Sequence, residues 1–176
     1  MNLTNAFLNY WWMILIVFII LVILAFIIAD LQMDKKISEE ISLLMDLSEK
    51  NQQKSDLISK EDAAGLPEPV QKWLEYSGVI GQNKIKTLSF SQQGKMRLDP
   101  DQENWLDAEA EQYVNVKEPG YLWHVDLPIM PLINTKGRDL FYQGTAFMEI
   151  KIGSLIPVVN AADNKKLNES SYHRFL

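Results

Sequence analysis

The sequence predicts an α+β protein: an N-terminal transmembrane helix and a helical stalk, followed by a curved, mainly antiparallel β-sheet domain with a short packing helix. Three observations carry this. Residues 11–29, WWMILIVFIILVILAFIIA, contain no charge. Residues 31–62 are polar and hold neither Gly nor Pro. From Leu106 onward, apolar and polar side chains alternate with a period of two, the signature of a half-buried strand. The expected organisation is an anchor over 1–30, a juxtamembrane stalk over 31–63 and a β-rich soluble domain over 64–176.

A helix over residues 11–29 rises roughly 28 Å, close to the hydrocarbon thickness of a bilayer. Tyr10, Trp11 and Trp12 stand at its start, where amphipathic rings favour the headgroup region. A cleaved signal peptide fits less well. No Lys or Arg precedes the run, the run exceeds the usual ~7–15 residues, and Ile27 spoils a small-x-small cleavage site before Ala29. The reading is a retained single-pass anchor in the cell membrane. Lys35 and Lys36 follow the span, and the positive-inside rule then leans the soluble part toward the cytoplasm. The acidic neighbours Asp30, Asp34, Glu39 and Glu40 count for little in that rule. With no cysteine, redox compartment leaves no trace. The sequons at Asn2 and Asn168 are of a kind common by chance.

Every charged side chain lies at or after Asp30, so the soluble part carries the whole net charge of −6. A dispersed acidic balance without a basic stripe excludes nucleic acid as a partner. In the stalk, Met33, Ile37, Ile41 and Leu44 draw an apolar stripe along a helix. It fits either a coiled coil that forms a homodimer or a helix leaning on the domain or membrane surface. The stripe falls short of the ~3–4 heptads a coiled coil requires, which favours the leaning helix.

Next comes a short helix within residues 64–81. Pro69 suits its first turn, Val70, Trp73 and Leu74 share a face, and Gly78 is placed to end it in a left-handed conformation. Trp73 is expected to pack on the sheet. Residues 84–98 read as a strand in which Gly94 marks a bulge or close approach, and residues 99–104 as a turn. In the next strand Leu106, Ala108, Ala110, Val114 and Val116 form one face, and Asp107, Glu109, Glu111 and Asn115 the other. Pro119 and Gly120 turn the chain back. Tyr121, Trp123, Val125 and Leu127 then oppose Leu122, His124 and Asp126. Residues 128–138, around Pro128, Pro131 and Gly137, read as a loop. One long strand is expected over 139–152, with Leu140, Tyr142, Ala146, Met148, Ile150 and Ile152 on its apolar face, and Phe141 and Phe147 among polar residues opposite. Short connections imply an antiparallel meander.

His124 and Asp126 fall on one strand face, roughly 6–7 Å apart. A catalytic dyad would need a nucleophile or metal that no motif announces, so the pair reads as two solvent-side residues. The acidic row Asp107, Glu109 and Glu111 is too loosely spaced for a compact Ca²⁺ or Mg²⁺ cage. Two histidines and no cysteine leave zinc without ligands. No nucleophile elbow or phosphate loop is present. No catalytic residue, metal or cofactor is therefore assigned. Aromatics are the fuller signal. Phe141 and Phe147, opposite the main apolar row, fit a sheet covered by a helix or curled around an apolar cavity. The candidate ligand-binding residues are Trp123, Phe141, Phe147, His124 and Asp126.

The succession LPEPVQKWLEYSGVIG, SQQGKMRL, the strand from Trp105 to Gln112, EPGYLW, RDLFYQGTAFMEIKIGSLIPVV and ES…HRFL resembles a bacterial family defined only as a domain of unknown function. The resemblance covers residues 64–176. It implies an N-terminal membrane segment and no particular activity. Because family members run on past the positions of Arg174 and Leu176 with further strands, it also implies a shortened member or a fragment with an incomplete sheet. At the level of fold, the Pro-Gly turn and Tyr-x-Trp strand are similar to the half-barrels of lipoprotein carriers, which hold acyl chains. The expected function is non-enzymatic binding of an apolar or lipid-like ligand, or a protein partner, at the membrane surface. The alternatives are a hydrolase using His124, Asp126 or the acidic row, and a structural subunit of a membrane complex.

Overall fold

A computed structural model describes residues 3–49, 57–97, 99, 101, 103–130 and 133–175. Asn2, stalk residues 50–56, Pro100 and Gln102 of the 99–104 turn, Pro131 and Leu176 lie outside them. The elements in order are α1 (Leu3–Glu49), α2 (Lys60–Ala63), α3 (Glu68–Tyr76), β1 (Thr87–Met96), β2 (Leu106–Asn115), β3 (Gly120–Met130), β4 (Ile133–Tyr142), β5 (Thr145–Ile152), β6 (Ile156–Ala162) and α4 (Lys165–Phe175).

Apolar run and stalk are one unbroken helix of 47 residues, about 70 Å long at 1.5 Å per residue. No Gly or Pro interrupts it. Every side chain from Tyr10 to Ala25 is exposed, an apolar surface that water does not tolerate at this size. Among the described residues, one helix is thus long and apolar enough to cross a membrane.

The six strands form a curved open meander in sequential order, antiparallel throughout. Directly paired residues share a face, so the register sorts the side chains cleanly. One face carries Tyr113, Leu122, His124, Asp126, Lys136, Arg138, Leu140, Phe147 and Glu149. The stalk part of α1 lies across it. Met33, Ile37 and Leu44 are buried there with Leu122 and Leu140, and Ile41, Tyr113, Tyr142 and Phe147 pack around them. The stripe is therefore occupied by the chain's own sheet, the leaning-helix arrangement. The opposite face carries Ala108, Ala110, Tyr121, Trp123, Val125, Leu127 and Phe141. At its end α4 covers Tyr121, Phe141 and Ala146 with Leu167 and Phe175.

Four expectations are corrected. Residues 128–138 are not a loop: β3 continues to Met130 and β4 begins at Ile133. Pro128 sits at an irregularity in the ladder, where its missing N–H is tolerated. Gly137 pairs with Val125 inside the ladder, and a Cβ there would stand 3.0 Å from the Val125 side chain. Its role is close approach, with no turn. Likewise residues 139–152 are two strands. Gln143 (φ 49°) and Gly144 (φ 81°) make a two-residue hairpin, whose left-handed residues match strand twist. That turn inverts parity, placing Phe141 on the α4 face and Phe147 on the α1 face.

Gly94 pairs regularly with Ala108 and has open space around it, so it marks neither bulge nor close approach. Trp73 does not pack on the sheet: it is 62% exposed, and Tyr76 is 93% exposed. The α2–α3 segment is instead tied at its base by the Leu57–Asn83 bridge and by Ile58 N–H donating to Gln82 O at 2.9 Å. Gly78 ends α3 at φ 72° as expected.

Leu122 has no exposed surface and sits between Leu44 and Leu140. Leu122→Ala should cost about 2–5 kcal/mol, seen as a lower urea midpoint of detergent-solubilised protein with unchanged helical circular dichroism.

Candidate functional site

The α1 stripe carries charge as well as apolar groups. Asp30, Asp34, Ile37, Glu40, Ile41 and Leu44 recur at three- and four-residue steps, so one helix face presents them all. Opposite them, alternation on β4 and β5 places Lys136, Arg138 and Glu149 on the covered face. The two sets interlock. Lys36 Nζ lies 2.7 Å from Glu149 Oε2, and Arg138 bridges Glu149 (3.2 Å) and Glu40 (2.6 Å). Lys136 pairs with both Asp30 (2.9 Å) and Asp34. Ser154 Oγ donates to Asp30 Oδ1 at 2.8 Å. Asn115 Nδ2 donates to the Leu44 carbonyl at 2.8 Å, holding the other end of the docked segment.

Burial acts to raise the Glu149 carboxyl, yet hydrogen bonds from Lys151, Lys36 and Arg138 overcome it and pull the pKa down to about 2. Asp126 behaves oppositely. Burial raises it above its ordinary value, Lys136 opposes, and the negative Asp34 adds to the rise. Its Oδ1 is buried without a hydrogen-bond partner.

Two clefts flank this clasp. A polar one of about 270 Å³ lies between α1 and strands β2–β4, lined among others by Asp34, Glu111, Tyr113, His124, Asp126 and Lys136. His124 stacks on Tyr113 with ring centres 6.3 Å apart, and its Nε2 lies 3.4 Å from Glu111 Oε2. Glu111 also accepts from Tyr113 OH at 2.7 Å. A larger cleft of about 530 Å³ opens between the apolar part of α1 and the β3–β4 and β5–β6 ends, walled by Val22, Ile23, Phe26, Ile27, Leu31 and Ile133, with Asp30 and Asn134 as its polar groups. Lys136, bound to Asp30 in one cleft and Asp34 in the other, stands between them.

Of the five candidate residues, the structure brings His124 and Asp126 into one cleft. They face α1 and are partly buried, so they are not the solvent-side pair the spacing suggested. Trp123 lies on the opposite face, where its Nε1 donates to Gln92 Oε1 at 3.0 Å and the Arg174 guanidinium lies 5.4 Å from its ring centre. Phe141 is fully buried beneath α4, and Phe147 packs into the α1 core. The acidic row divides: Glu111 enters the cleft while Asp107 and Glu109 stay exposed. Among the described residues, no three of His, Cys, Asp and Glu converge on a possible metal position. Sequence reasoning missed Lys136, Arg138 and Glu149. The signal was available, since Asp30, Asp34 and Glu40 share the face of the apolar stripe and a buried acidic helix face needs basic partners.

The matching family model covers residues 64–176, from just before α3 through α4. The chain belongs to DUF6920, a family of unknown function. The matched stretch includes the six described strands, β1 to β6, and leaves out α1. No curated protein and no solved structure matches the chain.

Two pH-linked outcomes follow. A depressed carboxyl contributes stability that is complete above its unfolded value and lost as pH falls through the folded value. Wild type should therefore lose stability between about pH 4.5 and about pH 2, and Glu149→Gln should flatten that limb of the unfolding profile while lowering stability at neutral pH. Asp126 has the opposite sign, its ionisation opposing folding once pH passes its raised value. Asp126→Asn should raise the melting temperature at neutral pH, measured by differential scanning fluorimetry in detergent.

Proposed function

We propose that this protein is a single-pass, membrane-anchored, non-enzymatic module that holds an apolar or lipid-like ligand at the membrane surface. The observation that carries this reading is the cleft of about 530 Å³ whose inner wall is the anchor helix itself. Its volume falls within the range of small-molecule sites. Val22, Ile23, Phe26 and Ile27 belong to the apolar run, so an acyl chain reaches the cleft from the bilayer without crossing water. Asp30 and Asn134 offer polar contacts at one end. His124 and Asp126 fit the same reading as contacts for a polar head, in the cleft beyond Lys136. Lys35 and Lys36, just past the span, favour the cytoplasmic side for the sheet.

Native mass spectrometry of the detergent-purified full chain tests the proposal. A lipid should remain bound to wild type and be lost from Ile27→Trp, which fills the cleft, with the melting temperature of the sheet preserved. Wild type emerging free of lipid would overturn it.

A further inference from the structure

We propose that the β5–β6 and β3–β4 ends of the sheet are inserted into the bilayer interface beside the anchor, making the lipid surface a second docking partner of the domain. This rests on the reading of α1 as a membrane span. The deciding contact is at Gly153, in the turn between β5 and β6. A Cβ there would collide with the ring of Phe26, and its φ of 57° also favours glycine. Phe26 lies four residues before Asp30, the first charge after the apolar run, which is about 6 Å along the helix axis. With Asp30 at the hydrocarbon boundary, the turn reaches the ~5–10 Å depth typical of interfacial apolar elements.

The chemistry of the tips agrees. No charge occurs between Lys151 and Asp163, and none from Leu127 to Thr135. Leu155, Ile156 and Val158 are each about half exposed, an apolar set at the tip whose Gly153 meets Phe26 of the anchor. The tips are tied together, Gly153 N–H donating to Asn134 O at 2.7 Å, and Ser154 fixes them to Asp30. The β1–β2 turn emerges at the same end of the sheet, about two strand spacings or ~10 Å from the β3–β4 turn and about twice that from the β5–β6 turn. Its exposed Asp99, Asp101 and Glu103 bound the patch on that side.

The chain has no cysteine, so single-cysteine variants place an environment-sensitive fluorophore cleanly. In phosphatidylcholine nanodiscs, labels at Leu155→Cys and, as a second exposed position, Val158→Cys should show blue-shifted emission. Their quenching by aqueous iodide should be several-fold weaker than at Gln143→Cys, in the turn at the other end of the sheet. Equal iodide quenching at all three positions overturns the inference. A label at Phe18→Cys that iodide reaches freely overturns it too, together with the anchor it rests on. Shielded tips in a protein that carries no lipid in its cleft support the docking surface and remove only the ligand proposal.

Discussion

The docking of the stalk half of α1 onto one face of the sheet is the interaction on which the remaining arrangement depends. It buries the apolar stripe of the stalk and consumes the charges of Asp30, Asp34 and Glu40 against Lys136 and Arg138. Charges this buried, Lys136, Arg138 and Glu149 among them, are stable only while every partner stays in place. The apolar residues supply the attraction, and the ion pairs fix the register: a slide by one helical turn would leave buried charge unpaired. Both clefts exist because the helix is held at that register.

The six-stranded meander then follows from local chemistry. Connections of two to four residues join β2 through β6, a longer one of nine residues joins β1 to β2, and the strands alternate so that one face meets α1 and the other α4. Because the Gln143–Gly144 turn inverts parity, the aromatic side chains of β4 and β5 are shared between two cores. Phe141 is held under α4 with Tyr121, and Phe147 under α1 with Leu122. The Asp139–Arg174 pair secures α4 in the same way, with Tyr121 OH donating to Asp139 at 3.4 Å.

Much of this was legible in the sequence. The apolar run, the stalk stripe, the alternation from Leu106 and the two faces of the Tyr121–Leu127 strand rest on periodicity, which burial enforces directly. What periodicity could not show was pairing across distance. A glycine needed for close approach to Val125 reads the same as a glycine in a loop, so Gly137 turned a strand into an expected turn. The Gln143–Gly144 hairpin was hidden because Gln is an unusual left-handed residue, and the apolar alternation ran through it without a visible break. At the candidate site, His124 and Asp126 were placed on the right face, but the helix covering that face comes from more than eighty residues earlier. Trp73 failed for a complementary reason: an amphipathic helix predicts burial, yet the α2–α3 segment is tied to the chain at the Leu57–Asn83 bridge and leaves Trp73 in solvent.

The unbroken course of α1 also has a mechanical meaning. No hinge separates the stretch flanked by lipid-compatible surface from the stretch clamped to the sheet, so the two turn as one body. Helices longer than the local hydrocarbon thickness tilt to fit it. In a lever of about 70 Å, a few degrees of tilt at one end swings the far edge of the sheet through several ångströms relative to the membrane plane. On the proposed reading of α1 as a membrane span, bilayer thickness is thereby written into the orientation of the sheet, without any change in its internal packing.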